Sequence, residues 1–270
     1  MADVMPLPEQ AAKLSSMNRT LPMATRLPCY LALAYAVLIV YASLYPFANW
    51  RDVGLPVLSF LDAAWPRYWT VFDLVVNVLV YLPLGFLLTL ALRGLPTRCL
   101  PPIAALLFGA LLSFCLETLQ TLLPSRVPSN LDLACNALGT AIGALLALSC
   151  GARIFGRLSL LQQSLLVHKP YAELGLVLVG LWLLTQLSPE TILFGAGDLR
   201  HLLDITPAVP YEAPSFFALE TGIIVSNTIA IGLIVRELLA ARKPPYFALL
   251  VFFLMALAIR TLAAAILVDP

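Results

Sequence analysis

The sequence predicts an all-α, polytopic transmembrane helical bundle of about seven helices with a cytoplasmic N-terminus, and three observations predict it. Of 270 residues, 61% are hydrophobic and 11% charged, so the polar residues are too few to clothe a soluble surface. Continuous apolar runs of bilayer-crossing length recur between polar, Pro-containing breaks, whereas transmembrane strands would alternate over segments of about ten residues. Lys and Arg are also unevenly placed: eleven of the sixteen fall on the N-terminal side of the membrane, against Arg51, Arg67, Arg126 and Arg200 opposite.

Residues 1–28 are polar and read as a cytoplasmic N-terminal segment. The first apolar run, Cys29–Tyr45, begins too late and runs too long for a cleaved signal, so it is a retained helix. A loop rich in Pro and Trp follows, whose aromatics suit the outer interface. The second run, Val71–Leu92, opens on a Thr-x-x-Asp pattern at Thr70 and Asp73. Pro83 kinks this helix or frees a carbonyl, and Gly85 makes room for a neighbour.

The runs Leu100–Leu123 and Leu131–Cys150 follow over short connections, which makes these three helices mutual neighbours. Gly139 and Gly143, four residues apart, form a small-residue face for close helix packing. Residues 29–150 thus form a four-helix core, and 151–170 read as a cytoplasmic loop. The C-terminal region, 171–270, holds three further runs: Tyr171–Leu187, the shortest, then Phe216–Ala240 and Tyr246–Val268. With seven spans, Asp269 and Pro270 lie outside.

Five cysteines stand singly, without the spacing of a zinc site or a disulfide framework. A net charge of +1 without a basic block argues against a nucleic-acid partner. No cofactor motif is evident.

Three successive runs each carry an acid and an amide. They are Asp73 and Asn77, Glu117 and Gln120, and Asp132 and Asn136. Spacings of three or four residues keep each pair on one helix face. Counting about 1.5 Å per residue from the outer helix ends sets Asn77, Glu117 and Asn136 at one depth, with Asp73, Gln120 and Asp132 about one turn higher. Arg126 lies in the loop above. Asp73 and Asp132 both stand at the fourth position of capping-box-like patterns, so each serves equally as a cap or as a ligand group. Glu117 lies within its span, too deep for a cap; with Arg126 it is the expected functional centre, and buried ionisable groups in a membrane are functional suspects.

An Asp and Asn before Pro-Leu-Gly, then Glu-x-x-Gln, Arg, Asp, Asn and Gly-x-x-x-Gly resembles the VanZ-like family of bacterial membrane proteins. Those residues here are Asp73, Asn77, Pro83, Gly85, Glu117, Gln120, Arg126, Asp132, Asn136, Gly139 and Gly143, and the resemblance spans about Leu31 to Leu148. It implies a multi-pass protein of the bacterial cytoplasmic (inner) membrane and cell envelope, in a family whose founding example is linked to teicoplanin resistance.

Three functions compete. The first is an accessory binder of a glycopeptide or lipid-linked cell-wall precursor at an outward-facing polar site. The second is an intramembrane enzyme acting on such a precursor, and the third a small transporter. Membrane lipids are partners in every case. Three carboxylates against one Arg repel a bare pyrophosphate but tolerate an amine, or a divalent cation such as Mg²⁺ bridging to phosphate. No nucleophile motif supports catalysis, and His168 and His201 lie away from the cluster.

Overall fold

A computed structural model describes residues 26–47, 49–52, 54, 56–65, 69–167, 171–188, 193–194, 213–239 and 245–267. Outside the described residues lie most of the expected N-terminal segment, Arg67, Arg200, His168, His201 and the C-terminal Asp269 and Pro270. The described residues form seven helices. They are α1 (Leu27–Leu44), α2 (Val71–Ala91), α3 (Leu100–Gln120), α4 (Asn130–Leu165), α5 (Ala172–Thr185), α6 (Ala213–Leu238) and α7 (Pro245–Leu267).

Six of them are long and apolar enough to cross a membrane. The exception is α5, whose 14 residues reach only about 21 Å against a hydrocarbon core of about 30 Å. The expected loop over 151–170 is also corrected. The helix begun at Asn130 continues to Leu165, 36 residues in all, and only Asn130–Gly151 has membrane-crossing character. A helix can run on past the bilayer with polar residues because its backbone hydrogen bonds are internal, whatever surrounds it.

The bundle is built around α2 and α4, which make the most extensive contact, with α3 and α1 packed against them. Glycine permits this. A Cβ at Gly85 would run into the Thr140 carbonyl, one at Gly139 into the Val78 carbonyl, and one at Gly143 into the Leu82 carbonyl. Pro83 stands inside α2 without ending it, and its missing N–H leaves the Leu79 carbonyl without the usual donor. Where α2, α3 and α4 meet, Ala105, Ser113 and Thr140 are fully enclosed beside large side chains such as Leu84 and Tyr81, while Leu107, Leu111, Leu145 and Leu148 point outward. Small residues at the helix contacts and large aliphatic ones facing outward suit helices surrounded by lipid.

At the N-terminal end of α1 the bundle is tied across helices. The Arg26 N–H donates to Glu173 Oε2 at 2.7 Å, and the Val167 N–H donates to the Leu238 carbonyl at 2.9 Å. The second half attaches through α5, which contacts α1 and α6, while α7 packs on α6. Arg260 of α7 reaches the Ser188 carbonyl at 3.5 Å. At the opposite end, the loop after α1 folds over α3: Phe60 is buried with its ring centroid 6.3 Å from that of Phe114. The Arg51 N–H donates to the Leu122 carbonyl at 3.0 Å, and Asn130 Nδ2 donates to the Ala63 carbonyl at 2.7 Å.

Candidate functional site

The polar residues of α2, α3 and α4 gather at the end of the bundle that carries the 45–70 and 121–129 connections. On α2, Thr70 and Asp73 form a full capping box. The Asp73 N–H donates to Thr70 Oγ1 at 3.1 Å, and the Thr70 N–H donates to Asp73 Oδ2 at 3.0 Å. Asp73 is therefore a helix cap, and its side chain remains exposed.

The start of α4 is built differently, although its sequence pattern is similar. Ser129 Oγ accepts the N–H groups of Leu131 and Asp132 at 3.2 and 3.3 Å, as an N-cap should. The reciprocal bond is not made by Asp132. Glu117 Oε2, reaching across from α3, accepts the Ser129 N–H at 2.8 Å. The expectation that Glu117 sits too deep to cap a helix is thereby corrected, since it caps the neighbouring helix. Buried at 5% exposure, Glu117 also takes the position where α4 exposes its positive dipole end.

Asp132 is thus released from its own helix, and its Oδ1 accepts Asn77 Nδ2 from α2 at 2.8 Å. Asn136, one turn further along α4, donates from Nδ2 to Ser113 Oγ at 2.9 Å. Its Oδ1 is buried without a hydrogen-bond partner. The two amides, set at the depth of Glu117 by residue counting, bond instead to residues offset by about a turn. Counting depth along separate helices does not capture how far one helix slides past another.

Gln120 and Arg126 serve α1. Gln120 Nε2 donates to the Ser43 carbonyl at 3.0 Å, and Arg126 Nη2 donates to the carbonyls of Ala42 and Tyr45 at 3.1 and 3.2 Å. These oxygens belong to the last turn of α1, where carbonyls lack intrahelical donors and a cation matches the negative dipole end. Among the described residues, no group of three or more His, Cys, Asp or Glu residues could hold a metal ion.

Two polar partners escaped the sequence reading. Ser113 precedes Glu117 by four residues, so it lies on the same face of α3, and Thr140 follows Asn136 by four on α4. Thr140 Oγ1 donates to the Asn136 carbonyl at 2.9 Å. Spacing was the signal for both; an unremarkable hydroxyl in an apolar run concealed it.

Asp73, Asn77 and Asp132 therefore remain at least partly accessible. Glu117, Gln120 and Arg126 hold helix ends, Gly85, Gly139 and Gly143 belong to the contact between α2 and α4, and Pro83 lies within α2. Searches of curated proteins and of solved structures returned no match. The family model described as VanZ/LLP1 matches residues 13–154, more than half of the chain. With its membrane-crossing helices and this shared core, the chain belongs to the VanZ/LLP1 family.

Proposed function

We propose that this VanZ-type membrane protein is an accessory binder in the bacterial cell envelope, residing in the cytoplasmic membrane. Its ligand is a glycopeptide or a lipid-linked envelope precursor, held by Asp73, Asn77 and Asp132. The observation that supports this reading is the release of Asp132 from its own helix cap. Because Glu117 takes the Ser129 N–H, the Asp132 carboxylate is held by Asn77, one turn along α2 from the exposed Asp73. Two carboxylates beside an amide favour a ligand that presents an amine, because a cation relieves their mutual repulsion.

The test joins cells and purified protein. Teicoplanin and vancomycin susceptibilities are compared with and without the gene, and thermal unfolding in detergent is followed with each glycopeptide added. Binding raises the unfolding temperature in parent protein and not in Asp132→Asn. Unchanged susceptibility together with no glycopeptide-dependent stabilisation rejects the glycopeptide reading; a purified lipid-linked precursor, tried in the same assay, then decides the remaining half.

A further inference from the structure

An apolar cavity lies away from the polar site. It holds about 600 Å³ between α1, α5 and the extension of α4, with Leu87 of α2 in its wall. Its lining side chains are hydrocarbon except Tyr35, whose hydroxyl already donates to the Val80 carbonyl at 3.0 Å. Along α1 the lining runs from Leu27 to Leu38. At 1.5 Å per residue that is about 17 Å, close to half of a hydrocarbon core of about 30 Å. The cavity is therefore one leaflet deep, beginning where α1 begins.

Basic side chains outnumber acidic ones at that end. Arg26 precedes Leu27 at the rim and is exposed. Arg93 places its guanidinium carbon 5.8 Å from the ring centroid of Phe155, a lining residue. Its Nε donates to the Leu90 carbonyl at 3.2 Å, so its terminal amino groups are the ones available to an anion. Glu173 is also here, with its carboxylate engaged by the Arg26 N–H at the start of α1.

We propose that this cavity holds one acyl chain of an anionic phospholipid, with the phosphate at the end marked by Arg26 and Arg93. Hydrocarbon walls select the chain, and their depth matches a single leaflet. Basic residues at the interface select the headgroup by charge. This inference stands apart from the polar site and from any ligand bound there.

Native mass spectrometry of the full chain in mild detergent tests it, using dioleoyl phosphatidylglycerol and dioleoyl phosphatidylcholine as probes. The parent retains one phosphatidylglycerol in preference to phosphatidylcholine, and Arg93→Gln narrows the preference by about five-fold. Gly180 lines the cavity, and a Cβ there meets nothing within 4 Å. Gly180→Phe should lower retained phosphatidylglycerol by about tenfold, while Gly180→Ala, too small to fill the space, keeps it. Ala34→Phe fills the same space from α1 and gives the same loss, so one failed fold does not decide the matter. Leu107→Phe, on the outward face of α3, changes nothing. Full retention by the folded Phe variants, an equal loss in Leu107→Phe, or equal retention of the two lipids by the parent overturns the proposal.

Discussion

Glu117 of α3 accepts the main-chain N–H of Ser129 at 2.8 Å, so the acid that completes the start of α4 comes from a different helix. This bond couples the end of α3, the loop after it and the first turn of α4. Glu117→Ala leaves a buried N–H without an acceptor, and should cost about 1–3 kcal/mol. Glu117→Gln retains an acceptor oxygen and should stay within about 1 kcal/mol of the parent. Thermal unfolding in detergent separates the two; equal stability of the Ala variant and the parent denies the cap.

Arg126 and Gln120 close the last turn of α1 from the same side of the bundle. Arg126→Met keeps much of the side-chain length and removes the donors, so it should loosen the end of α1 without disturbing the start of α4. Amide hydrogen exchange should rise around residues 40–47 and remain unchanged around 130–135. Faster exchange at both places would mean that the two ends form one unit.

The helices and the polar positions were legible in the sequence because apolar length and three- or four-residue spacing are local properties. The partners were not. Asp73 and Asp132 stand in similar patterns, yet only Asp73 closes its own box, because only α4 has an acid from another helix within reach of its cap. Residues 151–170 read as a cytoplasmic loop because the apolar run stops at Cys150, but the end of an apolar run marks where a helix leaves the membrane rather than where it ends. Arg126 reads as part of a functional centre with Glu117 because loop position says nothing of which helix end lies beneath it.

The glycines divide sharply by what stands opposite them. Gly143→Leu drives a side chain into the backbone of α2 at Leu82, and should cost about 3 kcal/mol or more because neither helix can yield locally. A Cβ added at Gly156 of α4 would meet nothing within 4 Å, so Gly156→Ala should be neutral or stabilising by up to about 1 kcal/mol. Parent-like stability of Gly143→Leu would show that α2 and α4 are not in close contact at Gly143.

The sidedness of the bundle follows from its basic residues. Arg93, Arg98, Arg153 and Arg157 gather at the end opposite the polar site, which should place the site outside the cytoplasm. A cysteine introduced at Ser125, in the connection between α3 and α4, should react with a membrane-impermeant maleimide in intact cells stripped of their outer barrier, in a background lacking the native cysteines. Labelling only after lysis reverses the orientation and removes an extracellular glycopeptide from the available ligands.

Asn77 and Asp132 should separate fold from function. Their bond at 2.8 Å joins α2 to α4, but the two helices are already held by the close glycine contacts below it. A double-mutant cycle of Asn77→Ala and Asp132→Ala should give a coupling of about 0.6–2 kcal/mol, the range for interhelical polar contacts in membranes. Asp132→Asn keeps the size of the side chain and an oxygen acceptor for Asn77 while removing the charge, so its unfolding temperature should remain near that of the parent. Glycopeptide-dependent stabilisation should nevertheless disappear, because an amine loses its counter-charge while the scaffold stays intact. If Asp132→Asn retains the full ligand-induced shift, the carboxylate is not part of the binding site, and the bond to Asn77 serves only to hold α2 against α4.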